Sequence, residues 1–269
     1  MRVESERITL NGGVSSHLGY RRGNNEDNFL MQGQINDNSV PVLELAMELR
    51  PTLYQWHCFA VFDGMGGGER GEIASWLAAE AFQQLSASGP LAQVDVDLLA
   101  ETGFWDANRR IILREDPDMY GTTGTAVFTD GEWFRVYHLG DSRAYLFRMG
   151  ALYQLTEDQT LANVKIQAGI YAANDPQAVR DSHRLTQYIG CDPTMKAVKP
   201  LESRWMRLLR GDRLLLCSDG LYDMCSDREI RECMALCPEP VTASWKLVEM
   251  ALKNGGVDNI TCLVAGRDV

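Results

Sequence analysis

GTTGTAVFTDGEWFRVYHLGDSRAYLFRMGALYQL, residues 121–155, is the stretch that decides the fold class. It holds four apolar runs: Thr122 to Phe128, Trp133 to Leu139, Ala144 to Arg148 and Leu152 to Leu155. Thr129-Asp130-Gly131-Glu132 is a hairpin signal, and Gly140-Asp141 and Met149-Gly150 are further tight turns. Strands joined this closely run antiparallel, because parallel pairing needs a crossover of roughly a dozen residues or more.

Upstream, strand-like stretches run through His17 to Arg22 and from Phe29 to Gln32. His57 to Phe62 is a continuous apolar run that reads as a buried strand. Asn36 to Gln55 has no clean period and reads as a hairpin with a long connection. From Glu69 the period changes: Ile73, Trp76, Leu77, Ala81 and Leu85 fall on one helical stripe, which Ser88-Gly89-Pro90 ends. A second helix is expected from Asp97 to Leu113, with Leu98, Leu99, Trp105 and Ile111 on its buried side.

Downstream, Glu157 to Pro200 is polar and irregular, with short helical pieces near 161–168 and 176–183. It reads as a surface excursion, a flap over about 157–200. Arg213 to Cys217 and Ile260 to Ala265 read as strands, and Asp227 to Leu236 and Pro240 to Leu252 as helices. Antiparallel strands with helices in separate blocks indicate an α+β fold of two sheets covered by helices, one domain over 1–269.

The composition is that of an ordinary globular protein: 45% hydrophobic and 23% charged over 269 residues. A formal net charge of −11 argues against nucleic-acid binding, which needs basic patches to neutralise phosphates. No apolar run approaches bilayer length, and Met1 to Arg7 lacks the apolar stretch of a signal peptide, so a cytoplasmic location is expected. Of seven cysteines, Cys58, Cys217 and Cys262 lie in strand-like runs, as reduced core residues do. Cys233 and Cys237, four apart, have no second pair at zinc-site spacing and read as packing residues.

Five acidic residues stand beside turns or at strand ends: Glu26, Asp63, Asp141, Asp219 and Asp258. Carboxylates converging at the rim of a core repel one another unless cations neutralise them. Oxygen-only sites suit hard octahedral ions such as Mg²⁺ or Mn²⁺.

The segments carrying these residues resemble, in order, the motifs of the metal-dependent protein serine/threonine phosphatases of type 2C, in their bacterial branch. They are Arg22-Gly23-Asn24-Asn25-Glu26-Asp27, Phe62-Asp63-Gly64-Met65-Gly66-Gly67, Gly121-Thr122-Thr123, Gly140-Asp141-Ser142-Arg143, Leu155-Thr156-Glu157-Asp158, Leu185-Thr186-Gln187-Tyr188-Ile189-Gly190, Ser218-Asp219-Gly220-Leu221 and Asp258-Asn259-Ile260-Thr261. The resemblance covers about Ser16 to Ala265. It implies a sandwich of two antiparallel β-sheets flanked by α-helices on both faces (αββα), with the acidic turns gathered at one end. It also implies hydrolysis of phosphoserine and phosphothreonine in proteins by a metal-activated water, using two Mn²⁺ or Mg²⁺ ions.

On that resemblance Asp63 bridges both ions, Asp219 and Asp258 complete one site, and Glu26 with the carbonyl of Gly64 holds the other. Arg22 binds the substrate phosphate, as a guanidinium fork suits phosphate oxygens; adjacent Arg21 reads as an ordinary surface charge. Two readings of Asp141 stand: a turn aspartate bonding its own backbone, or a ligand, with Asp219, of a third ion. Asp27 points away from Glu26 if extended and reads as a supporting residue. Gly64, Gly66 and Gly67 read either as a plain turn or as a backbone approaching an ion.

Many bacterial relatives carry histidine where Gly68 stands here, animal relatives carry it where Met65 stands, as the usual acid for the leaving group, and Gln159 replaces another frequent histidine. Water on the ions is then the favoured proton source, with His183 and His17 as alternatives. Phosphorylated proteins, substrates of a serine/threonine kinase, are the implied partners of a monomer; no membrane or nucleic acid is. A non-catalytic phosphoprotein-binding module and a hydrolase of small phosphate esters are the competing readings.

Overall fold

Asp130-Gly131 and Met149-Gly150 close hairpins as their composition requires, with Gly131 and Gly150 at positive φ and Asp130 accepting the amides of Glu132 and Trp133. The computed structural model of the chain describes residues 9–37, 42–49, 56–66, 70–87, 95–114, 120–172, 174–192, 194 and 198–267. In order the elements are β1 (Leu10–His17), β2 (Asp27–Met31), β3 (Gln34–Ile35), β4 (Val42–Leu49), β5 (His57–Met65), α1 (Arg70–Ala87), α2 (Val96–Ile112), β6 (Gly121–Thr122), β7 (Gly124–Thr129), β8 (Trp133–Leu139), β9 (Arg143–Arg148) and β10 (Ala151–Gln154). Then come α3 (Leu161–Gln167), α4 (Pro176–Asp181), β11 (Leu201–Glu202), β12 (Met206–Arg207), β13 (Arg213–Cys217), α5 (Asp219–Tyr222), α6 (Asp227–Leu236), α7 (Pro240–Lys253) and β14 (Ile260–Arg267).

The strands form two antiparallel sheets. One has the order β10-β9-β13-β14-β1-β4; the other has the order β11-β8-β7-β5-β2-β3, with β12 on β8 and β6 on β5. Alternation along the strands divides the core into three layers. In β5, Phe59 and Val61 face the space between the sheets, with Val14, Phe29, Val127, Leu216 and Leu263. Cys58, Ala60 and Phe62 face the other way, onto α1 and α2 through Ala78, Phe82 and Phe104. On the far side, Leu215, Cys217, Cys262 and Val264 pack against α5, α6 and α7. The architecture is the expected αββα sandwich.

Three expectations need correction. First, β8 and β9 do not pair with each other. The Gly140-Asp141 turn carries the chain from one sheet to the other, so it is a corner and not a hairpin. Gly140 has φ +106°, and a Cβ there would meet Thr123 Cγ2 at 2.7 Å, so the corner demands glycine. Second, the segment expected as a hairpin over 36–55 shows one strand among its described residues, β4, which pairs with β1 in the sheet opposite to that of β2 and β3. Third, Leu98 and Trp105 on α2 are exposed. The buried face of α2 runs instead through Val96, Leu99, Ala100, Gly103, Phe104, Ala107 and Ile111, where Gly103 lets Phe82 approach closely. The expected end of α1 at Ser88-Gly89-Pro90, and the positions Gly67 and Gly68, lie outside the described residues.

Candidate metal centre

The corners between the two sheets and the ends of their central strands lie at one end of the sandwich, and the acidic residues sit on them. Glu26 and Asp27 follow the passage from β1 to β2. Asp63 lies at the end of β5, opposite Asp27 in the antiparallel register. Asp141 sits on the β8–β9 corner, Asp219 at the start of α5 after β13, and Asp258 just before β14.

Neutral side chains hold these corners in place. Asn259 Oδ1 accepts the Glu26 amide at 2.8 Å, while its Nδ2 donates to the carbonyls of Leu18 and Asn24. Thr123 Oγ1 accepts the Asp63 amide at 2.9 Å and bonds Ser142 Oγ at 2.7 Å, which ties β5 to the Asp141 corner. Ser218 Oγ donates to Asp27 Oδ2 at 2.7 Å, joining the two sheets beneath the acidic end. Asp27 is thus a buried strut, and its charge adds to that felt by Asp63 and Asp219. These neutral residues carry no charge and act on partners far away in sequence, so the motif reading gave them no role.

The carboxylates form one electrostatic unit. Withdrawal from water and the neighbouring charges of Asp219, Asp27, Asp141 and Asp258 push the Asp63 carboxyl well above the usual range. Asp219 is raised by the same withdrawal and by Asp141, Asp258, Asp223 and Asp27. Burial pushes Asp27 up to about 7, and burial with Asp158 nearby pushes Asp141 up to about 7. Glu26 is raised by burial, with Arg22 and the Gly71 amide at the start of α1 opposing that rise.

Five of the expected site residues are therefore brought within electrostatic reach of one another, together with Glu26's neighbour Arg22. The Arg22 guanidinium donates to Asp258 Oδ2 at 2.6 Å and lies 3.8 Å from Glu26 Oε2, with its side chain about half exposed. Arg21 is exposed. At Gly64 a Cβ would meet the Gly71 carbonyl oxygen at 2.1 Å, and one at Gly71 would meet Glu26 Oε1 at 2.8 Å. The backbone of β5, the start of α1 and the Glu26 carboxylate thus crowd together where only glycine fits. Gly66, at φ +155°, turns the chain out of β5.

The donor set fits hard divalent cations. It is all oxygen and it carries several mutually repelling carboxylates on strand ends and corners.

Two neighbours complete the surroundings. His183, from the segment after α4, places Nδ1 3.9 Å from Oδ2 of Asp219 and 3.9 Å from Oδ2 of Asp223. Tyr222 donates its hydroxyl to the Asp141 carbonyl at 3.1 Å. His17 instead accepts the Gly19 amide through Nδ1 at 2.8 Å and serves the local turn. Asp223 and Tyr222 follow a recognised acidic turn but belong to no spacing pattern, so nothing in the sequence marked them.

A family model described as Protein phosphatase 2C matches residues 49–251. The serine/threonine protein phosphatase PstP of Mycobacterium tuberculosis is 37% identical over 211 residues, covering 77% of this chain and 39% of that protein. The chain thus spans about two fifths of the length of this relative. The crystal structure of the Mycobacterium tuberculosis phosphatase PstP/Ppp superposes with a TM-score of 0.79 at 30% identity, over 97% of this chain and 100% of the other. The structure of the PstP catalytic domain in complex with two manganese ions superposes with a TM-score of 0.75, at 30% identity over the same shares of each chain.

Proposed function

Because the chain belongs to the Protein phosphatase 2C family, we propose that its acidic end hydrolyses phosphoserine and phosphothreonine in proteins with the help of divalent cations. The observation that carries this reading is the convergence of Asp63, Asp141, Asp219 and Asp258 with Glu26 beside the guanidinium of Arg22. Phosphate monoesters hydrolyse extremely slowly in water, so the barrier reduction required is very large.

In this reading Asp63, Asp219 and Asp258 would hold one cation, and Asp63, Glu26 and the Gly64 carbonyl would hold the other. When bound, such cations neutralise the phosphoryl oxygens and supply a nucleophilic water near neutral pH. Manganese is the ion supported by the likeness to the two-manganese PstP complex; magnesium suits the same oxygens. Asp141, among the charges felt by Asp219, is the residue for a third ion.

Arg22 orients the substrate phosphate through its two-pronged fork while its partner carboxylate Asp258 fixes the side chain. Thr123, Asn259 and Ser218 hold the carboxylates in register, so that little reorganisation accompanies binding.

We place the substrates among proteins phosphorylated by a serine/threonine kinase, and the enzyme in the cytoplasm as a monomer without nucleic-acid partners. Among the described residues no helix is long and apolar enough to cross a membrane. The test is hydrolysis of phosphothreonine, phosphoserine and phosphotyrosine peptides with and without Mn²⁺. Chelation is expected to abolish activity on the first two, and Mn²⁺ to restore it. Full activity of stripped protein, or preference for phosphotyrosine, would sink this reading.

A further inference from the structure

Beside the acidic end lies an open groove of about 530 Å³, lined by Arg143, residues 154–160, α3, α4 with Ser182 and His183, and Tyr222 with Asp223. It opens next to the metal centre, since Asp223 in its wall lies one turn beyond Asp219 and both carboxylates lie 3.9 Å from the His183 imidazole. One side is aliphatic, formed by Ala162, Ile166, Ala178 and Val179.

The charge of the groove is set by two carboxylates. Arg143 is the strong cation in the wall, but it is fully engaged. It forms a two-pronged pair with Asp158 at 2.9 and 2.6 Å, bonds the Tyr145 hydroxyl at 3.1 Å and stacks 3.6 Å over the Tyr222 ring. Asp158 and Arg143 therefore cancel. Among the described residues Glu157 is held by neutral amides, from Asn163 and Gln167. Asp223 faces the His183 ring at 3.9 Å and feels the charge of Arg143 without a direct pair. An open groove with aliphatic residues and two exposed carboxylates that lack a strong cation partner matches a long alkyl stem that ends in a cation.

We propose that this groove receives a lysine or arginine side chain of the phosphoprotein substrate, close in sequence to the phosphorylated residue. The inference rests on the phosphatase reading above and narrows it to substrates with a basic residue near the phosphosite. From Arg22, which feels the charge of Asp219, the way to the groove leads past Asp219 to Asp223 and His183 in its wall. An acidic side chain entering it would meet Glu157 and Asp223, and among the described lining residues the one strong cation, Arg143, is already paired with Asp158.

The experiment uses phosphothreonine peptides that differ only in carrying arginine, alanine or glutamate at each of the three positions on either side. Hydrolysis of p-nitrophenyl phosphate, which has no flanking residues, is the internal reference. At one or two positions arginine is expected to exceed alanine in kcat/KM by about three- to fivefold, the size of an exposed ion pair, with glutamate below alanine. Glu157→Gln should shrink that preference and Glu157→Lys should invert it, with turnover of p-nitrophenyl phosphate unchanged in both. Equal kcat/KM for the three residues at every position overturns the assignment, as does a preference that survives intact in Glu157→Lys. Hydrolysis of the aryl phosphate with no phosphothreonine peptide accepted overturns the protein phosphatase reading itself, and the two failures are thereby distinguished.

Discussion

Arg22 donates a 2.6 Å hydrogen bond to Asp258 Oδ2 across 236 positions of sequence, and its other terminal nitrogen lies 3.8 Å from Glu26. One guanidinium therefore serves two carboxylates that belong to different expected cation sites. In the proposed mechanism it would compete with cations for Glu26 and Asp258 and would receive the substrate phosphate.

Removing it should move the two functions in opposite directions. Arg22→Ala is expected to raise KM for phosphopeptides, with a smaller change in kcat, because a contact shared by ground and transition states has that signature. The same substitution should tighten Mn²⁺ binding a few-fold by calorimetry, since a neighbouring positive charge is lost. Arg21→Ala, at an exposed position, should change neither. Weaker Mn²⁺ binding in Arg22→Ala would show that the guanidinium organises the carboxylates more than it repels cations.

Asp219 and Asp63 stand in a mutually repulsive cluster, so neutralising either should have two faces. Asp219→Asn and Asp63→Asn are each expected to lose at least about 10²-fold in turnover, as ligands to the group that supplies the nucleophile. In chelator, however, both variants should melt higher than the parent. Relief of about 1 kcal/mol corresponds to about 2–4 °C for a chain of this size. Added Mn²⁺ should then raise the parent's Tm more than the variants'. A variant less stable than the parent in chelator would mean that the carboxylate is held by bonds rather than strained by its neighbours.

A pH dependence follows from His138, buried in β8. Its Nδ1 lies 2.9 Å from Thr125 Oγ1 and its Nε2 lies 3.1 Å from the carbonyl of Glu157, in the groove wall. Burial lowers its pKa from 6.5 to about 4, so the folded state binds fewer protons than the unfolded chain between those values. Stability therefore rises with pH across that window. The contribution is complete above about 6.5 and is lost as pH falls towards 4, amounting to roughly 3 kcal/mol. His138→Gln keeps a donor and does not titrate. Denaturant melts in Mn²⁺ from pH 4 to 7 should show a shallower slope for this variant, and parallel profiles would exclude His138 as the cause.

The strands and the acidic residues were legible because each announces itself locally. β7 with β8, and β9 with β10, are closed by Asp130-Gly131 and Met149-Gly150, and α6 coincides with the stretch from Asp227 to Leu236. The β8–β9 corner was not legible, because a hairpin and a passage between sheets call for the same glycine and aspartate. The buried face of α2 was misread for a similar reason. It relies on Ala100, Gly103 and Ala107, small residues that carry little hydrophobic signal, while Leu98 and Trp105 point to solvent. At the site the charged residues were visible as motif members. The roles of Thr123, Asn259 and Ser218 were not, since each depends on a partner brought near only by the finished fold.

Gly71 tests how tightly the Glu26 corner is built. It lies near the start of α1, where alanine is intrinsically preferred over glycine by about 1 kcal/mol, so helix propensity alone says Gly71→Ala should stabilise. The site argues the reverse. A Cβ at this position would lie 2.8 Å from Glu26 Oε1 and 2.9 Å from the Gly64 carbonyl carbon. The Gly64 backbone is fixed by its amide, which donates to the Glu26 carbonyl at 3.1 Å, and by pairing with Thr122, so it cannot recede. The Glu26 carboxylate must therefore swing away from the Gly71 amide that it accepts. Gly71→Ala is expected to fold, to lose a measurable part of the Mn²⁺-induced rise in Tm, and to need more Mn²⁺ for half-maximal activity. Gly71→Ser should be worse on both counts. An unchanged Mn²⁺ requirement in Gly71→Ala would mean either that Glu26 is free to move without cost or that it does not hold the ion.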